Sequence, residues 1–165
     1  MRHRLVYLGL GLAILLCGLV VVVALIERHY PYRVVIGERY VSNEEMTYLE
    51  AHQSSILMHI IPDKVSRETI QLKLLNHTDN LHLWGLPFSL LIEYGENWRY
   101  VEFLPSRDLF SHMAHFLHPH SYVKHTIQLS DHFGRLPIGN FRIVKDVRNS
   151  ETQMTIAVVG SFTLP

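Results

Sequence analysis

Five histidines, His112, His115, His118, His120 and His125, fall within fourteen consecutive residues. Neutral imidazole is the commonest side-chain metal ligand, and zinc or copper accepts three or four such nitrogens. His112 and His115, three apart, would share a face of a helical turn. A metal site built from His112, His115, His118 and His120 is therefore one reading. The other makes His118-Pro119-His120 a solvated loop ahead of a strand, with the remaining histidines on that loop or on strand faces. A copper carrier would draw on Met58-His59 or His112-Met113, two isolated dipeptides. Further along, "LSDHFGRLPIGNFRIVKDV" (129–147) places Ser130, Asp131 and His132, the side-chain types of a hydrolase triad, side by side. Strand neighbours point to opposite faces, and a triad is assembled by the fold rather than by adjacency. Asp131 is instead expected to cap the turn after "QLS". The chain has no H-E-x-x-H, no G-x-S-x-G elbow, no P-loop and no dinucleotide fingerprint. The expectation is a non-catalytic protein with no cofactor.

The elements that would have to position these residues begin with an apolar run. No charge occurs from Leu5 to Ile26, while Arg2 and Arg4 precede the run and Glu27 follows it. At about 1.5 Å per residue such a run crosses about 30 Å of hydrocarbon. The positive-inside rule then keeps the amino terminus in the cytoplasm and sends the rest of the chain outside the membrane. Val22-Val23-Ala24 offers an alternative cleavage site, although the run exceeds the apolar region of about 7 to 15 residues usual in a signal peptide. Lipid modification of Cys17 is a second alternative, opposed by Leu15 and Leu16 before it and by the apolar residues after it.

Cys17 is the only cysteine and lies in that run, so the exported part holds no internal disulfide. Its stability must come from apolar burial. The whole chain carries a formal charge of +0, and taking away Arg2 and Arg4 leaves thirteen basic against fifteen acidic residues, a charge of −2. That balance excludes the basic footprint of a nucleic-acid binder. Eleven of the twelve histidines lie beyond the apolar run, so the exported part gains positive charge in mildly acidic surroundings.

Residues 27–53 read as a juxtamembrane tether ending in a short helix at "SNEEMTYLEAHQ", capped by Ser42 or Asn43 with Glu44 and Glu45 in its first turn. Beyond it, period-two alternation recurs. "TIQLKLLN" sets Ile70, Leu72 and Leu74 against Gln71 and Lys73, "FSLLIEY" aligns Phe88, Leu90, Ile92 and Tyr94, and "GEN" turns the chain into "WRYVEF" as a hairpin. "VKHTIQL" and "MTIAVV" continue the pattern, and with "SILMHII" and "NLHLW" the count reaches about seven or eight strands. Short strands without alternating helices indicate an antiparallel sandwich or barrel rather than an α/β enzyme fold, and a length of roughly 110 residues suits a seven-stranded immunoglobulin-like sandwich. The expected core is Ile70, Leu72, Leu74, Phe88, Leu90, Ile92, Ile127, Leu129, Phe141 and Ile143. One large aromatic, Trp84 or Trp98, should be buried between the sheets. Lys145 shares parity with Ile143, so a bulge or a strand end should bring it to solvent. Asn76-His77-Thr78, a glycosylation pattern, reads as a hairpin turn.

Leu136-Pro137-Ile138-Gly139-Asn140-Phe141, running into "RIVKDV", resembles the corner of immunoglobulin and fibronectin type III sandwiches, with Leu136, Gly139 and Phe141 as its landmarks. Phe141 lacks the hydroxyl of the corner tyrosine, so packing alone should hold the corner. Taken with Gly85-Leu86-Pro87-Phe88 and Asn76-His77-Thr78, the stretch from Ile56 to Phe162 resembles the bacterial immunoglobulin-like domains of exported Gram-positive proteins. The resemblance implies an immunoglobulin-like antiparallel β-sandwich over 54–165, with the anchor helix at 1–26 and the tether at 27–53. It carries no active-site residues.

The resulting expectation is a membrane-anchored, extracytoplasmic module that binds or scaffolds at the bacterial cell surface. Its partners would be the membrane, through the amino-terminal helix, and another membrane or cell-wall component. A histidine-based zinc or copper site and a pH-sensing role are the alternatives. The long connection from Pro105 to Tyr122 is the expected binding loop.

Overall fold

The alternation in "TIQLKLLN" builds β3 (Thr69–Asn76), whose Ile70, Leu72 and Leu74 are fully buried in the computed structural model. The structure describes residues 34–51, 55–105, 107, 110 and 113–165. The expected anchor (1–26), the first part of the tether (27–33) and His112 lie outside the described residues. Among the described residues no helix is long and apolar enough to cross a membrane.

β3 is the middle strand of a three-stranded antiparallel sheet, between β2 (Ile56–Val65) and β8 (Tyr122–Gln128). The second sheet is organised around β9 (Gly139–Asn149). On one side β9 pairs with β10 (Thr155–Leu164) in a register unbroken from Thr155↔Arg148 to Leu164↔Gly139. On the other side it pairs first with β5 (Ser89–Tyr94) and then with β4 (His82–Trp84). β6 (Asn97–Glu102) forms the expected hairpin with β5 across Gly95-Glu96, and β1 (Val35–Tyr40) and β7 (His115–Leu117) close the two ends. All pairings are antiparallel, and the two sheets form a sandwich.

All ten residues expected in the core are buried in one cluster, joined by Trp84, Val101, Leu117, Phe133, Leu136, Val147, Val158 and Phe162. Each such side chain contributes about 1.5–3 kcal/mol relative to exposure. At Gly160 the two sheets approach closely: a Cβ there would lie 2.9 Å from Ile60 Cδ1 of β2.

Three expectations change. The described residues hold ten strands rather than seven or eight, because β1 lies in the expected tether and β7 in the expected loop. Both are end strands with a single pairing partner, and β7 is only three residues long. Residues 34–51 therefore belong to the folded unit Val34–Pro165 and are not a tether. The helix expected there is α1 (Asn43–Ala51); Ser42 caps it, its Oγ accepting from the Glu45 backbone N–H at 3.1 Å. α1 lies on the outer face of the large sheet, where Val41, Leu49, Leu91, Ala157 and Val159 make a second, smaller cluster. The Tyr100 hydroxyl donates to Glu45 Oε1 at 2.5 Å and ties the helix down.

The third change concerns "LSDHF". The strand stops at Gln128, and Leu129–Phe133 make a single helical turn, α2, that buries Leu129 and Phe133. Asp131 lies within its first turn and does not cap it, since the amino-terminal end has no side-chain cap.

Candidate functional site

The polar centre of the sandwich is where β9 changes partner. β9 pairs with β5 through Ser89↔Val144 and with β4 through Trp84↔Val147. Gly85–Phe88 bridges the two strands, so the ladder is interrupted opposite Lys145 and Asp146, and Pro87 has no N–H to offer. The exposed carbonyls of this link need donors. Lys145 supplies them: its Nζ donates to Leu86 O at 3.2 Å and to Pro87 O at 3.1 Å. The unbroken β9–β10 register leaves no bulge to turn this side chain outward, and it is 1% exposed. The expectation that it would reach solvent is thereby overturned.

Aromatic rings enclose the ammonium. It lies 5.4 Å from the centroid of Trp84 and 5.8 Å from that of Phe88. The His115 ring stacks on Trp84 at 4.7 Å, and His125 meets Trp84 edge-on at 5.1 Å. Burial lowers the Lys145 pKa to about 8, with Asp146 acting in the opposite direction. Burial first, then the charges of Lys145 and His115, lowers that of His125 to about 4. Trp84 Nε1 and His115 Nε2 are buried and have no hydrogen-bond partner among the described residues. Three bases, Lys145, His115 and His125, meet the Trp84 indole here, and Asp146 is the carboxylate whose charge acts on the Lys145 ammonium. Through Lys145 the cluster ties the Gly85–Phe88 link to β9.

Sequence reasoning missed this cluster although its signals were present. Lys145 sits at Ile143 parity, and His125 shares parity with Val123 and Ile127, which places it on the inward side of β8.

The histidine group is dispersed. His115 is stacked half-buried against Trp84, whereas His118 and His120 are exposed on the loop between β7 and β8. His120 pairs with Asp79, its Nε2 2.8 Å from Oδ1. His118 contributes its backbone oxygen, which accepts from Asn76 Nδ2 at 3.0 Å and from Ser121 Oγ at 2.7 Å. The structure does not bring His115 together with His118 and His120, and among the described residues no group of three or more histidine, cysteine or acidic side chains is placed to hold a metal.

Asn76 is a buried polar knot rather than a surface turn. Its Nδ2 donates to Asn80 O at 2.8 Å, Leu117 O at 3.2 Å and His118 O at 3.0 Å. Its Oδ1 accepts from the Thr78 N–H at 2.9 Å and from Thr78 Oγ1 at 2.8 Å. One side chain therefore ties the end of β3 to the β3–β4 loop and to β7.

At the expected corner, Leu136 and Phe141 are buried and the Phe141 ring stacks on Phe162 at 5.3 Å and 13°. Gly139 has φ 149, and a Cβ at this position would meet nothing closer than 3.9 Å, so backbone conformation rather than space calls for glycine. Ser130, Asp131 and His132 do not converge. Asp131 is exposed, while the His132 ring stacks on Phe110 at 5.0 Å and meets Phe88 and Phe103 edge-on. His132 Nδ1 also lies 2.9 Å from Arg107 O, and the Leu104 N–H donates to His132 O at 2.7 Å. His132 thereby pins the start of the long connection, a role the sequence reading did not assign.

Comparison with known proteins matches the chain to the bacterial Ig-like domain over residues 50–158. No curated protein sequence matches it. Among solved structures it is similar to the ApaA protein from Bordetella pertussis, at 14% identity and a TM-score of 0.37, over 67% of this chain and 89% of that one. It is also similar to the archaellum periplasmic stator protein FlaG from Sulfolobus acidocaldarius, at 16% identity and a TM-score of 0.36, over 66% and 99% of the two chains. A third is the ASH / PapD-like domain of human CEP192, at 16% identity and a TM-score of 0.31, over 65% and 84%. With the family match spanning both sheets, the partner switch of β9 and the Leu136–Phe141 corner, this chain belongs to the bacterial Ig-like domain family.

Proposed function

We propose that the protein is a membrane-anchored, extracytoplasmic immunoglobulin-like module that binds or scaffolds at the bacterial cell surface and performs no catalysis. One observation carries this reading: an uncharged run, Leu5 to Ile26, precedes an Ig-like domain. A run of that length anchors, and a cytoplasmic amino terminus with Arg2 and Arg4 delivers the domain outside. The non-catalytic part is supported by the buried cluster, whose lysine and histidines are occupied in packing and in holding carbonyls.

The test is topology. The full chain should remain with membranes after alkaline carbonate extraction, and protease added to intact protoplasts should remove the part beyond the apolar run. Release into the soluble fraction, or complete protection in intact protoplasts, would overturn the proposal. Crosslinking in the native membrane would then separate a membrane-protein partner from a wall-polymer partner.

A further inference from the structure

Four strands of the large sheet set a row of side chains across its outer face. The register aligns Glu93 of β5 with Trp98 of β6 and Asn140 of β9 with Thr163 of β10. Asn140 Nδ2 donates to Glu93 Oε2 at 2.6 Å, and Thr163 Oγ1 donates to Asn140 Oδ1 at 2.8 Å. The next row inward contains Leu91, Arg142 and Ser161. α1 covers the face at Leu91, Ala157 and Val159, Trp98 packs against the edge of that cluster, and Glu93, Asn140 and Thr163 of the first row stay exposed. A depression of about 290 Å³ remains there, lined by Glu93, Trp98, Asn140, Arg142, Ser161 and Thr163.

We infer that this depression binds an uncharged saccharide. Cross-strand polar pairs also stabilise sheets, but here they border a concavity that ends in a half-buried indole with the Arg142 guanidinium 4.4 Å from the centroid of its ring. The volume lies just under about 300 Å³, where ligand sites begin. One carboxylate and one guanidinium balance in charge, so the lining selects neither an anion nor a cation. Its amide, hydroxyls and remaining carboxylate oxygen present donors and acceptors together. A hydroxyl both donates and accepts, and a sugar ring presents several around an apolar face. Trp98 supplies apolar area at one end of the row, and Glu93, Asn140, Ser161 and Thr163 are exposed to meet the hydroxyls.

The inference rests on the binding role proposed above, and its test does not depend on topology. The full chain, ¹⁵N-labelled in a sugar-free zwitterionic detergent, is titrated with chitotriose, cellotriose and maltotriose to about 10 mM, well above a millimolar Kd. At least one trisaccharide should shift the Trp98 indole N–H resonance saturably and leave that of buried Trp84 in place. Asn140→Ala and Thr163→Val, at exposed positions, should each weaken binding by about tenfold, the loss of about one net hydrogen bond. Trp98→Phe should retain partial binding. No saturable Trp98 shift with any of the three sugars would overturn the inference, as would equal affinity in wild type and Asn140→Ala. A chain that binds sugar yet fails the protoplast assay would overturn only the topology.

Discussion

The Lys145 ammonium donates to the carbonyl of Pro87 at 3.1 Å from a side chain that is 1% exposed. This contact closes the gap that β9 leaves when it passes from β5 to β4. Lys145→Ala should cost about 3 kcal/mol, since it leaves a cavity and two unpaired carbonyls. Lys145→Met, which refills the volume, should cost less. Because burial holds the folded pKa near 8, below the unfolded value of 10.5, the unfolded chain binds the proton more tightly. Stability therefore rises with pH between about 8 and about 10.5. Urea midpoints of the full chain should show wild type gaining on Lys145→Met across that window, and a constant difference would contradict the desolvated ammonium.

His125 acts in the acid range with the same sign. Its folded pKa, lowered to about 4 from 6.5, means that its neutral form is favoured in the fold. The contribution is complete above the unfolded value and is lost as pH falls from 6.5 through 4. The groups facing it are Trp84 and His115 from β4 and β7 and Lys145 from β9, two of them further sources of positive charge. His125→Gln should flatten this part of the stability profile, measured as the difference from wild type by urea denaturation between pH 7 and pH 4.

Asn76 offers a test in which only the hydrogen-bonding sense changes. Asn76→Asp keeps the shape but replaces the two N–H donors shared among Asn80 O, Leu117 O and His118 O with acceptor-to-acceptor contacts. The expected cost is about 3 kcal/mol or more. Asn76→Ala should cost about 2 kcal/mol, because the same carbonyls lose their donor without gaining a repelling charge. Hydrogen exchange at β7 should speed up in both variants.

Phe141→Ala should remove about 3–5 kcal/mol, the usual cost of emptying a buried phenylalanine site, and should unfold the domain at ordinary temperatures. Asp131→Ala and Arg135→Ala, both exposed, should stay within about 0.5 kcal/mol of wild type. His132→Ala belongs with neither group. It removes a ring from among Phe88, Phe103 and Phe110 and frees Arg107 O, so limited proteolysis between Leu104 and Phe110 should accelerate.

Read by itself, the sequence determined the class of fold and the core. Ile70, Leu72, Leu74, Leu90 and Ile92 repeat with the period of a strand, and that local rule survives because one face of each sheet is buried. The same alternation already placed Lys145 and His125 on inward faces, yet a lysine and a histidine there contradicted the usual partition of polar residues. Only the tertiary structure resolved the conflict, because the carbonyls that need the ammonium come from Leu86 and Pro87, almost sixty residues away, at a break in a ladder. The edge strands β1 and β7 were hidden for a related reason. A strand paired on one side carries a weak alternation, so its partner decides it. His115, His118 and His120 were close in sequence, and the turn of the chain at β7 separated them, since one stacks half-buried on Trp84 while the others face solvent. Adjacency along the chain was the weakest guide to the site, and burial periodicity was the strongest guide to the fold.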